Sequence, residues 1–146
     1  AALLDAELPP NAGEDSFNLL PLLRGDKPAR PVRGATVHHA ASGRFAIRCG
    51  NWVLIENGTG DDNRGSAGEP AWLKKERGYG ADESKGQLYN LRDDPAQKHN
   101  LHDAQPAPVR ELQSLLDHYR REGRSTPGPA QQNDPTPETA RSNTSR

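Results

Sequence analysis

The stretch Ala35-Thr-Val-His38-His39-Ala-Ala-Ser-Gly43-Arg-Phe45-Ala-Ile47-Arg-Cys49-Gly50-Asn-Trp52-Val-Leu-Ile55 decides the fold. Ala35–Ala40 predicts a strand that ends near Ser42-Gly43. Arg44–Arg48 alternates polar and apolar residues, which puts Phe45 and Ile47 on one face. Cys49-Gly50-Asn51 reads as a tight turn, and Trp52–Ile55 consists of residues that favour strands. The three segments form an antiparallel meander. Gln87–Leu91 predicts a fourth strand, with Leu88 and Asn90 on the face opposite Tyr89 and Leu91. A small sheet with one apolar face needs a covering layer. Residues Ala107–Glu122 supply it, because Val109, Leu112, Leu115, Leu116 and Tyr119 recur at spacings of three and four. Pro106 and Pro108 suit the entry of that helix and Gly123 its exit. Arg110, Glu111, Gln113, Asp117, Arg120 and Arg121 take its solvated side. The predicted class is α+β: a small four-stranded antiparallel sheet packed by one C-terminal amphipathic helix.

Outside this core the chain is sparse. Leu3, Leu4 and Leu8 suggest the end of an amphipathic helix that starts before Ala1, closed by Pro9-Pro10. Asp15-Ser16 is placed to cap a short turn carrying Phe17, Leu19, Leu20, Leu22 and Leu23, stopped at Gly25. Residues 1–33 therefore read as a connector to a missing domain, 34–124 as the folded subdomain and 125–146 as a disordered tail. Within the subdomain, 57–85 is a long Gly-rich loop of the kind that is functional or unstructured.

Composition agrees with a piece of something larger. The 146 residues include no Met, and Gly and Pro number 14 and 13. The apolar fraction of 32% is low for a globular domain and limits the chain to one small core. A net charge of −1 gives no ground for a nucleic-acid partner. No apolar run is long enough to span a bilayer, and no secretory signal opens the sequence. The single Cys49 excludes an internal disulfide framework.

Few residues invite chemistry. His38 and His39 are adjacent on a strand, so their rings point to opposite faces and do not chelate one ion together. One packed or hydrogen-bonded and one exposed histidine is the plain expectation; a substrate contact from one of the two is the sharper one. His99, His102, Asp93 and Asp94 could be read as a metal set. Asp93-Asp94-Pro95 is better explained as a turn, with Asn100 bonding its backbone and Leu101 anchoring it. His118 reads as a surface residue of the helix. Cys49 lies beside Arg48, a cation that would lower a thiol pKa, yet no base accompanies it. Gly58-Thr-Gly60 and Gly78-Tyr-Gly80 match no phosphate fingerprint. Asn57-Gly-Thr59 and Asn143-Thr-Ser145 fit the glycosylation pattern, which has force only in a glycosylating host.

The order of motifs resembles the C-terminal end of a bacterial sulfatase of the arylsulfatase-like, alkaline-phosphatase-like superfamily. Leu22-Leu23-Arg24-Gly25 precedes the His38-His39 strand, followed by Phe45-Ala46-Ile47-Arg48-x-Gly50-x-Trp52. Leu88-Tyr89-Asn90-Leu91-x-x-Asp94-Pro95, Asn100-Leu101 and the terminal helix complete it, over about residues 1–124. Val53 departs from the pattern, since the family often carries a Lys near that strand. The resemblance implies a complete enzyme that hydrolyses sulfate esters of a sulfated carbohydrate or aryl alcohol, in the periplasm or outside the cell. It implies a formylglycine nucleophile, made within Cys/Ser-x-Pro-x-Arg, and a bound calcium. Cys49-Gly-Asn-Trp-Val lacks both the Pro and the Arg, and Ser125-Thr-Pro127-Gly-Pro129 lacks the Arg. No catalytic or calcium-binding residue therefore carries over to this chain. The expected partner is an N-terminal sulfatase catalytic domain, and His38 or His39 is the one substrate-facing candidate. A stand-alone α+β binding module with a Gly-rich recognition loop is the alternative.

Overall fold

A computed structural model of the chain describes residues 1–40, 43–58, 72 and 84–132. Strands β1 (Ala35–His39), β2 (Phe45–Cys49), β3 (Trp52–Ile55) and β4 (Gln87–Asn90) form one sheet in the order β1-β2-β3-β4, every pair antiparallel. This is the expected meander. Most of the long loop expected over 57–85 lies outside the described residues. The chain divides into two compact units, Arg33–Leu116 and the combination of Ala1–Val32 with the chain from Asp117 onward.

The register explains why the sheet has a core. Val37 pairs with Ile47, Ile47 with Leu54 and Leu54 with Leu88, so each strand contributes one apolar side chain to a single transverse row. Ile47, Leu54 and Leu88 are fully buried, together with Leu116 of the helix α2 (Pro106–Glu122). Glu56, two residues after Leu54, shares that face, and its carboxylate accepts a hydrogen bond from Gln113 Nε2 at 2.8 Å. That contact ties α2 to the row. Helix geometry places Leu112 and Leu116 one turn apart on the covering side. Leu115 lies about 100° around the axis from Leu116 and is only half-buried, so the expected five-residue stripe is narrower in the structure. Leu112 and Leu116 are the buried residues of α2, a single line along the helix.

β4 departs from a one-sided strand. Gln87 and Tyr89, which face away from Leu88, are buried as well. The Tyr89 hydroxyl donates to Gln87 Oε1 at 2.5 Å, and Gln87 Nε2 donates to the Asn57 carbonyl at 3.2 Å. Buried polar groups on this second face are thus paired, as burial demands.

The outer edge of β4 is closed by a side chain. Asn100 Oδ1 accepts from the Leu88 N–H at 3.0 Å, and Asn100 Nδ2 donates to the Gly86 carbonyl at 3.0 Å. The Leu101 N–H then donates to the Leu88 carbonyl at 2.8 Å. The carboxamide stands where a neighbouring strand's peptide group would stand. Asn100 also accepts from the His102 N–H at 3.0 Å, so it binds the strand edge and its own turn. Gly86 is required by close approach. A Cβ there would sit 2.9 Å from His102 Nε2 and 3.1 Å from the Ile55 carbonyl oxygen.

The N-terminal segment is less regular than expected. Ala2–Leu4 make one 3₁₀ turn, and α1 (Leu20–Leu23) is a single helical turn. Asn18 Oδ1, not Asp15 or Ser16, accepts the Leu20 N–H at 3.0 Å. Asp15 is used elsewhere, as the acceptor of the Ser125 N–H and hydroxyl at 2.9 and 2.6 Å. Residues 125–131, expected to be unstructured, hold defined hydrogen bonds; beyond 132 the expected tail lies outside the described residues.

Two stability measurements check this packing. Leu116→Ala should cost about 2–5 kcal/mol in urea unfolding, and Leu115→Ala clearly less, because only the first opens a cavity in a sealed core. Equal costs would show that the contact line runs elsewhere. Asn100→Ala should cost about 2–3 kcal/mol, since it strands the Leu88 N–H and Gly86 carbonyl of an edge strand. Asn100→Asp, which keeps the acceptor and loses the donor, should fall between. An Asn100→Ala protein as stable as the parent would overturn the edge closure.

Candidate functional site

His38 and His39 leave β1 on opposite faces, as strand alternation requires, and both are exposed. They differ in their surroundings. His39 faces its cross-strand partner Phe45, and the two rings stack at 4.4 Å between centroids and 21° between planes. Such a pair contributes to strand association beyond simple area burial. His38 lies on the sheet face away from α2, opposite Ala46, and takes no hydrogen bond or ion pair among the described residues. A small neighbour and an edge strand leave its ring open to solvent. The arrangement gives one histidine a structural occupation and keeps the other available.

Arg48 shares the face of His38, since both alternate with Ile47 and Val37 in the paired register. Its Nε donates to the Gly50 carbonyl at 3.1 Å across the β2–β3 turn. Cys49 is a free, half-buried thiol on the opposite face. The Arg48 side chain leaves the strand on the other face and spans the turn to Gly50, away from the thiol.

The His99–Asp94 region is a turn, as the sequence indicated. Asn90 anchors it: its carbonyl accepts the N–H groups of Asp93 and Asp94, and its Nδ2 donates to Asp93 Oδ2 at 2.7 Å. Asp94 Oδ2 accepts the His99 N–H at 2.8 Å, and the His99 ring lies 3.6 Å away. That backbone hydrogen bond holds the Asp94 carboxyl below its ordinary pKa, with the Lys98 N–H and the His99 ring adding to it against the penalty of burial. His102 points elsewhere, with Nδ1 2.9 Å from Asp103 Oδ1. His118 lies on the exposed side of α2, 3.9 Å from Glu122. Among the described residues no three His, Cys, Asp or Glu side chains converge on a point where an ion could sit. No described helix is long and apolar enough to cross a membrane.

Sequence reasoning missed Arg124. Its guanidinium is buried and bonded on every donor, a role with no periodic signature in the sequence. The one available signal was an Arg directly after the helix-stopping Gly123, followed by a Pro-rich run.

Comparison with known proteins agrees with this architecture. No family model matches the chain. A curated N-acetylgalactosamine-6-O-sulfatase of Bacteroides thetaiotaomicron is 34% identical over 120 residues, which cover 80% of this chain and 21% of that protein. A solved structure of a 6S-sulf protein, described with the metabolism of multiple glycosaminoglycans by Bacteroides thetaiotaomicron, superposes with a TM-score of 0.60 at 31% identity. It covers 82% of this chain and 22% of its own. The chain thus spans about a fifth of the length of each relative, in the C-terminal part of the curated one. Sequence and fold together place this chain with the C-terminal part of sulfatases.

Proposed function

We propose that this chain completes a larger enzyme that hydrolyses sulfate esters of a carbohydrate, and that it does so by closing the catalytic domain and lining the substrate mouth. The 34% identity over 120 residues to an N-acetylgalactosamine-6-O-sulfatase carries the reading. The sulfated carbohydrate as substrate class comes from that relative's name.

Sulfate-ester hydrolysis in this family uses a formylglycine nucleophile and a calcium ion that stabilises the sulfuryl oxygens. The described residues of this chain fit neither. Cys49 is followed by Gly50-Asn51-Trp52 rather than by the Pro and Arg of the modification motif, and the described acidic and histidine side chains form no ion-holding set. Both groups belong, on this reading, to the N-terminal catalytic domain that acts as the chain's partner. What remains for this chain is positioning. His38 is the residue for it: exposed, without a hydrogen-bond or ion-pair partner among the described residues, and held on a strand whose register is set by the Ile47–Leu54–Leu88 row. Its imidazole N–H would donate to a sulfate or hydroxyl oxygen of the bound sugar.

The exposed leucines fit the same reading. Leu3, Leu4 and Leu23 are 75%, 80% and 82% exposed, apolar side chains that a partner domain would cover.

Residues 1–146 expressed without a partner should show no turnover of a chromogenic aryl sulfate in calcium-containing buffer; turnover above a heat-killed control would overturn the division of labour. In the complete enzyme, His38→Ala should lower kcat/KM for its sulfated carbohydrate by about tenfold or more, the equivalent of about 1.4 kcal/mol of lost transition-state binding. His39→Ala should leave kcat/KM near the parent value and lower Tm instead, through loss of the Phe45 stack. Equal kinetic effects from the two substitutions, or none from either, would remove His38 from the substrate mouth.

A further inference from the structure

Arg124 is 8% exposed, and none of its hydrogen-bond acceptors is a carboxylate. A buried cation in that position is costly unless each donor finds an acceptor. Here each does. Nε donates to the Thr126 carbonyl at 2.9 Å, Nη1 to the carbonyls of Pro10 and Pro129 at 3.0 and 2.9 Å, and Nη2 to Thr126 Oγ1 and the Pro127 carbonyl at 3.1 and 3.0 Å. Proline carbonyls suit this cage, because each belongs to a residue whose ring fixes φ and so loses less backbone freedom when held. The planar fork of arginine satisfies five directions at once, which an ammonium does not.

The chain that wraps the cation is fastened at both ends. The Thr126 N–H donates to the Glu14 carbonyl at 3.1 Å, the Thr126 hydroxyl donates to the same carbonyl at 2.5 Å, and Ser125 is held by Asp15. At the far end the Gln131 N–H returns to the Glu122 carbonyl in the last turn of α2, at 2.7 Å. Gly128 has φ of 149°, and a Cβ on it would lie 2.3 Å from Nη1, so only glycine lets the backbone pass so close to the guanidinium.

We propose that residues 125–131 are a strap folded around Arg124, that the guanidinium is its latch onto residues 10–15, and that the strap opens as one unit without the sheet. None of residues 125–131 is buried, and they lie in a different compact unit from the Ile47–Leu54–Leu88 row. Segments held by few apolar contacts open below the global unfolding free energy. The latch differs from a core residue in this respect: its loss frees one segment and spares the rest.

Amide hydrogen exchange of the full 146-residue chain tests this, read at Thr126 and Gln131 for the strap and at Leu88 and Leu101 for the sheet. Arg124→Lys keeps the charge and loses the fork; it should speed exchange at the two strap amides by about tenfold or more and leave the sheet amides unchanged. Gly128→Ala, which crowds the cation from the strap side, should do the same. Strap amides as slow as in the parent in both variants would overturn the latch. Exchange that rises equally at Leu88 and Leu101 would also overturn it, by showing that Arg124 supports the whole fold.

Discussion

Strand β4 carries three buried residues and yet lies at the edge of the sheet, so its outward N–H and C=O groups need partners that none of the described strands supplies. Asn100 provides them. Its carboxamide offers one donor and one acceptor with the spacing of a peptide group, and the Leu101 backbone continues the pairing. Everything else in the sheet follows from this closure. With β4 protected, Leu88 can be fully buried, and with Leu88 in place the transverse row reaches across all four strands. A strand would have done the same at the cost of more ordered residues. One asparagine after a short turn orders fewer, which suits a chain with so little apolar residue to spare.

The sheet and the helix were legible because each rests on a periodic signal. Alternation in Arg44–Arg48 and the spacing of Leu112 and Leu116 survive in the structure, since both reflect which side chains leave water. The same logic separated His38 from His39. It did not say which of them would be occupied; that depends on the register that brings Phe45 opposite His39, a pairing set by hairpin length rather than by composition. The breadth of the helix stripe was overread for a related reason. Leu115 belongs to the apolar side of α2, but a four-stranded sheet is too narrow to bury its whole width.

Polar contacts over long sequence separation left no such trace. Asn100 looked like part of the neighbouring Asp93-Asp94 turn because a side-chain amide near a turn most often bonds locally. Its partners Gly86 and Leu88 lie before the turn, and only the fold of the whole motif brings the amide to them. Asp15 looked like a helix cap for the same reason and instead reaches Ser125. Arg124 is the extreme case: a cation in a Pro-rich run reads as solvated by composition, and its burial depends on carbonyls contributed by Pro10, Pro127 and Pro129.

These two polar centres divide the labour of a small chain. The Asn100 clamp rigidifies the unit that carries His38, so the histidine's direction is fixed by backbone pairing rather than by contacts of its own ring. The Arg124 cage orders the unit that carries the exposed leucines, where apolar surface remains in water and cannot act as glue. On the proposed reading that surface is reserved for the catalytic domain, and a polar cage is then the logical device. It holds residues 10–15 and the end of α2 in shape without spending leucines on an internal core, so the leucines stay free to dock.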